Sequence, residues 1–324
     1  MEKQSTLILN LETLTPIWTG GAETGKMERI QETSIIGSLR WWAEAIVRGF
    51  GAEVCSGGRC SINSNDSRPL EKQICPVCQV FGTTGWKRRF RLTVTEEALI
   101  DYKEEIVGWK ATSKPQTGNF TVIIQSLFAD FNPLIIAGLL QFVANCGVFG
   151  GKTSMGFGKM KIKEPYIDLH PLVTLFSNIK VNSYKRDKYP SIQKFFFARI
   201  KISEKSNYCT LSIKKELTGI FSENSRVKYE VMGGRDGRDL YSSKIKISYI
   251  DSIDTIHVYG YLPASIDRYG ITRYDKMKEI YDMLSSKYHL VEWREYNSPR
   301  DNITGESNDL FCYLKSFLYE GEKL

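Results

Sequence analysis

The chain has 324 residues, 42% hydrophobic, 12% aromatic and 25% charged, which is the composition of a folded soluble protein and the length of two ordinary domains. No apolar run approaches the ~20 residues of a membrane span, and the polar start MEKQSTLILN is not a signal peptide, so a cytoplasmic protein with no membrane contact is expected. The net charge of +7 fits a polyanionic partner without identifying one.

In chain order, residues 6–12 place Leu7, Leu9 and Leu11 on one face, the period of a half-buried strand. From Ile35 to Phe50 the apolar positions Ile35, Ile36, Leu39, Trp42, Ala43, Ile46, Val47 and Phe50 change to a helical period. A Cys- and Gly-rich insertion follows over 51–80, then strands at 89–95 and 120–128. Pro133 opens a helix running to about Cys146, and a last strand covers Lys159–Lys163. The order is βαββαβ, the ferredoxin-like unit that common RNA-binding modules share. After a polar connector at 177–191 the same order is read again, with strands at 195–203, 244–250, 255–262 and 290–296 and helices near 214–222 and 273–288. Residues 223–243 read as a long loop, and 209–217 fit strand or helix. The fold class is therefore α+β, with tandem ferredoxin-like (RRM-like) domains at 1–176 and 192–324 and the insertion in the first.

Three groups of residues in this frame carry chemistry. On the 35–50 helix Trp41 projects away from the apolar centre, between Arg40 and Arg48. An exposed ring between guanidinium groups suits base stacking and phosphate pairing, or packing beneath the insertion or a partner protein. The segment 147–163 sets Gly147, Gly150, Gly151, Gly156 and Gly158 among Lys152 and Lys159. Glycines let the chain approach a ligand and can point N–H groups at phosphate, although a tight helix-to-strand connection is the plainer alternative. Around 89–95, Lys87, Arg88, Arg89 and Arg91 form an acid-free run whose strand would present a basic face. Lys152, Lys159, Lys161 and Lys163 form a second such run.

Cys55, Cys60, Cys75 and Cys78 form C-x4-C-x14-C-x2-C, with Gly57-Gly58 and Pro76 in the gaps. Two close thiol pairs fit a closed structural zinc site; disulfides or free buried thiols are the alternatives. The three histidines, His170, His257 and His289, all lie beyond residue 169, so the first βαββαβ unit, whose last strand ends at Lys163, has no histidine for acid–base cleavage of RNA.

Several stretches together resemble the RAMP superfamily: Leu14-Thr15-Pro16 with Trp18-Thr19-Gly20-Gly21, Ile36-Gly37-Ser38-Leu39-Arg40-Trp41-Trp42, Cys75-Pro76-Val77-Cys78-Gln79-Val80-Phe81-Gly82, and the glycine-rich Gly147–Lys159. Within it, the TPIWTGG and LRWW segments most resemble the first RAMP subunits of the type III-B CRISPR effector, the Cmr complex. The similarity concentrates over 1–165, with Asp239-Leu240-Tyr241-Ser242-Ser243 aligning as a weaker second signature. The resemblance implies a non-catalytic antiviral subunit that contacts guide RNA and target single-stranded RNA near the guide's 3′ end, among other RAMP subunits. It makes Arg40, Trp41, Arg48, Lys87, Arg88, Arg89, Arg91, Gly150, Gly151, Lys152, Gly156, Gly158 and Lys159 the expected RNA contacts. The rival readings are a RAMP endoribonuclease that processes guide precursors and a zinc-dependent regulator of duplex DNA.

Overall fold

The computed structural model describes residues 6–55, 59–103, 106, 111–164, 167–177, 189–202, 208–251 and 254–318. Gly57, Gly58 and most of the 177–191 connector lie outside them. The first unit runs β1 (Thr6–Thr13), α1 (Glu32–Gly49), α2 (Leu70–Gln73), α3 (Pro76–Phe81), β2 (Phe90–Asp101), β3 (Gln116–Ser126), α4 (Leu134–Cys146), β4 (Met160–Glu164) and α5 (His170–Ser177). The second runs β5 (Phe195–Lys201), α6 (Tyr208–Ile220), α7 (Ser225–Met232), β6 (Gly234–Asp236), β7 (Asp239–Tyr241), β8 (Ile245–Ile247), β9 (Thr255–Tyr261), α8 (Arg273–Lys287), β10 (His289–Glu295) and α9 (Leu310–Leu318).

The first sheet has the order β2-β3-β1-β4 and the second β10-β5-β9-β8, all neighbours antiparallel. Numbered within each unit, both are the 4-1-3-2 sheet of the ferredoxin-like fold. Residues 223–243, expected to be loop, instead hold α7 and the β6-β7 hairpin. Asn224 starts α7 because its side chain accepts from the amides of Arg226 and Val227. The ambiguous 209–217 segment is helix.

The two sheets bury their faces differently. Leu9, Leu11, Leu92, Val94, Phe120, Val122 and Ile124 point from the first sheet onto α1 and α4, while Ile8, Arg91 and Thr93 on the other face are exposed. In β5, Phe196, Ala198 and Ile200 join the core with α6 and α8, whereas Phe195 and Phe197 join the core built on α1 and α4. A strand buried on both faces reads as a continuous apolar run, as FFFARI does. Trp42 is the centre of this junction, with its ring 5.4 Å from Phe195, 6.0 Å from Phe197, 5.9 Å from Tyr259 and 5.9 Å from Phe142. The C-terminal helix α9 returns to the first core through Leu310, Tyr313, Leu314 and Phe317. Among the described residues no helix is long and apolar enough to cross a membrane.

Candidate nucleic-acid interface

A cleft of about 580 Å³ opens where the two units meet. Trp18 and Gly20 line it from the loop after β1, Ser34, Gly37, Ser38, Trp41 and Trp42 from α1, and Val148, Gly150, Gly151, Lys152 and Thr153 from the loop after α4. The second unit supplies Phe195, Ser242, Ser243, Lys244, Lys246, Tyr259 and Tyr261. The sequence segments TPIWTGG and LRWW and the glycine-rich loop, far apart in the chain, thus share one wall.

The charge in the cleft is one-sided: among the described residues three lysines line it and no carboxylate does. Burial pushes the Lys246 amine down to about 8, with Lys244 and Lys214 adding repulsion. Burial also lowers Lys244, against the pull of Glu230. An anion placed here would favour the charged form of both lysines. Trp41 is 39% exposed while its ring edges meet Trp42 at 5.1 Å and Phe195 at 5.8 Å. It thus packs through its ring edges and keeps part of the ring exposed in the cleft.

The glycine-rich loop is built otherwise than expected. Its amides are spent inside the chain: Gly147 donates to Val143 O, Gly150 to Ser38 Oγ, Gly151 to Trp18 O, Gly156 to Thr153 O and Gly158 to Pro16 O. They do not form a row of free N–H groups for phosphate. Close approach of the chain to itself is what requires glycine here. At Gly158, with φ of +93°, a Cβ would lie 2.0 Å from Phe149 O, and at Gly156, with φ of +91°, it would lie 2.7 Å from the Tyr249 amide of the second unit. Lys152, left-handed with φ of 56°, is the exposed cation the loop delivers to the cleft.

Several other expected contacts are turned to internal work. Lys159 is 3% exposed and its ammonium donates to Asn145 O at 2.6 Å, so it clamps α4 to β4 instead of facing the cleft. Arg40 points away from Trp41, pairing with Glu44 and donating to Gly82 O at 2.8 Å and Cys78 Sγ at 2.9 Å. Arg48 pairs with the same Glu44 at 3.0 Å and donates to Cys55 O and Pro190 O. Buried Glu44 explains both turns, since an unpaired buried carboxylate would be costly. In the basic run, Arg88 donates to Phe90 O and Arg89 pairs with Asp130 over the Phe128 ring, leaving Lys87 and Arg91 exposed. None of these four lines the cleft.

The four cysteines do converge: their Sγ atoms lie within 4.8 Å of one another. Cys55 and Cys78 are 3.4 Å apart and Cys75 and Cys55 3.7 Å. Tetrahedral zinc with Zn–S near 2.3 Å sets sulfur atoms about 3.8 Å apart, so the donor set fits a metal ion. Hydrogen bonds from neighbouring thiols, Cys78 first, hold Cys75 low at about 5, while Cys78 itself is pushed up. The knuckle forms because Cys75 precedes α3 and Pro76 opens it. The Arg40 guanidinium donates to Cys78 Sγ, which orients that sulfur and sets a positive charge beside the cluster.

The sequence reading missed Lys244, Lys246, Tyr259 and Tyr261. The signal for the two lysines was present in the alternation Lys244-Ile245-Lys246-Ile247, the pattern already used for Arg89 and Arg91. Nothing in the sequence alone said that the second sheet would turn that face to α1.

A family model described as the RAMP superfamily matches residues 10–161. The fold is similar to the crystal structure of Cmr1 from Pyrococcus furiosus in its apo form, with a TM-score of 0.51 and 15% identity over 80% of this chain and 88% of that one. A subunit of the type III-B Cmr-beta complex bound to cognate target RNA matches at a TM-score of 0.44 and 12% identity, covering 80% of this chain and 94% of that one. No curated protein matches the chain.

Proposed function

We propose, from the match of residues 10–161 to the RAMP superfamily model, that the chain is a RAMP protein and a non-catalytic RNA-binding subunit of a type III-B CRISPR effector. It contacts guide RNA and target single-stranded RNA near the guide's 3′ end, beside other RAMP subunits, in the cytoplasm. Residues 1–176 and 192–324 are its two domains, and the RNA runs between them.

The observation that carries this reading is the cleft: the half-exposed Trp41 ring for stacking, with Lys152, Lys244 and Lys246 for the phosphates and no acid among the described lining residues. Single-strand binders combine aromatic platforms with a basic groove in this way. Lys87 and Arg91 are available to extend the contact across the surface. Zinc is the metal that suits four thiolates, and when bound it supplies a structural crosslink with no open position for substrate. Cys55, Cys60, Cys75 and Cys78 hold it, and Arg40 ties it to α1.

Among the described residues no histidine lines the cleft. His257 is occupied by Asp251 at 3.2 Å, and burial together with Lys159 pushes it down to about 4, so it stays neutral where RNA is bound. His170 and His289 are exposed. The purified chain is expected to bind single-stranded RNA and leave it uncut with or without divalent metal. Cleavage of repeat RNA that a His257 or His289 substitution abolishes would establish the endoribonuclease reading in its place.

A further inference from the structure

Beside the cleft lies a second cavity of about 370 Å³, lined by Tyr189, Pro190, Lys194, Glu230, Tyr241 and residues 261–265, and it shares Lys244 and Tyr261 with the cleft. The two spaces are joined by aromatic rings. The Tyr261 ring is 5.0 Å from Phe195, and Phe195 is 5.8 Å from Trp41. On the far side Tyr189 is held in place by the Arg48 guanidinium, 5.2 Å from its centroid. A pocket of this size suits one nucleotide-sized ligand.

The chemistry of the lining narrows the ligand. Lys194 and Lys244 are half-buried, and loss of solvent pushes both amines down from their usual range, so each gains from an anion. Tyr189, Tyr241 and Tyr261 offer ring faces of the kind on which bases stack. One carboxylate, Glu230, stands among them and accepts from Ser265 Oγ at 2.5 Å. A carboxylate would repel a phosphate, but it has about four lone-pair sites, and Ser265 takes one. It therefore asks for a ligand that brings hydroxyl donors along with its negative charge, as ribose does and deoxyribose does less well.

We infer that this cavity is a second nucleotide subsite for the strand bound in the cleft, taking a ribonucleotide with its phosphate at Lys194 and Lys244 and its sugar hydroxyl on Glu230. The strand turns at Lys244, with one base on the Trp41 side and the next on the Tyr189 side. The subsite rests on the reading of the cleft as an RNA groove and adds to it a means of preferring RNA over DNA. Arg48 serves that preference at one remove, since it orients Tyr189 through the ring contact and Pro190 through its carbonyl.

The test is the affinity of the full chain for a short oligouridylate and its deoxy counterpart, measured over a range of salt. Four proteins are compared: the unmodified chain, Lys194→Ala, Glu230→Ala, and Lys152→Ala with Lys246→Ala. Lys194→Gln and Glu230→Gln repeat the measurement with smaller changes of shape, and thermal melting checks folding. Lys194→Ala is expected to weaken RNA binding about tenfold and to reduce the salt slope by about 0.7, the value for one phosphate on a single strand. Glu230→Ala is expected to bring the ribose and deoxyribose strands to equal affinity. If both single variants bind like the unmodified chain while the Lys152/Lys246 variant binds weakly, the subsite is wrong and the cleft reading stands. If the Lys152/Lys246 variant also binds unchanged, both fall.

Discussion

The two four-stranded sheets have the same topology and opposite uses. The first keeps its α1 and α4 face dry and shows the other to solvent, with Ile8 55% exposed there. The second is covered twice, by α6 and α8 on one face and by α1 and α4 on the other. A ferredoxin-like unit can offer its open sheet to RNA. Here the basic residues of the cleft gather where the second sheet is covered, at the rim of its aromatic junction with α1. The lesson is that the same strand order leaves different surfaces available, and that the partner unit decides which one becomes a groove.

Removing the centre of the junction should have the largest effect. Trp42→Ala takes away the ring that meets Phe142, Phe195, Phe197 and Tyr259, and should lower stability by about 3–5 kcal/mol in urea unfolding. Ile8→Ala on the open face should stay within about 0.5 kcal/mol. Equal costs would mean that the two sheets are not used differently after all.

A more local loss is expected at the cysteine cluster. Metal analysis of protein purified without chelator should find one zinc per chain, and Cys78→Ser should lose it. Hydrogen exchange should then rise over the insertion and at the neighbouring turn of α1, where Arg40 is anchored, while the second sheet stays protected. Full-length protein containing no metal would contradict the site.

The smallest effects separate the lysines. Lys152→Ala with Lys246→Ala should flatten the salt dependence of RNA binding by roughly 1.4, for two phosphates on a single strand. Lys159→Ala should leave the slope unchanged and reduce stability, because its ammonium holds Asn145 O within the fold. Affinity should also fall as pH rises from 7 to 9: the free-state Lys246 amine, lowered to about 8, loses its proton across that window. Lys246→Arg should remove most of this pH dependence, since guanidinium stays charged.

Much of the fold was legible in the sequence. The alternation in β1, the helical period of α1 and the breaks at Pro133 and the glycine-rich loop all reflect local burial patterns. The cysteine set was equally legible, because two close pairs have few ways to be used. What the sequence could not give was the direction of long side chains. Arg40, Arg48 and Lys159 read as surface cations, yet buried Glu44 and the orphan carbonyl of Asn145 draw them inward. Helix α7 was missed because it is short and mostly polar, with Val227, Val231 and Met232 as its buried side chains, although these keep a helical spacing behind the Asn224 cap. The cleft's second wall was missed because it depends on how the sheets pack against each other.

The most direct test of the central claim is where RNA touches the chain. Single-stranded RNA carrying 4-thiouridine, cross-linked to the full protein and mapped by mass spectrometry, should give adducts on peptides holding Trp41 and Tyr261, from both units at once. Adducts confined to the open face of the first sheet, at Ile8, Arg91 and Thr93, would contradict the account.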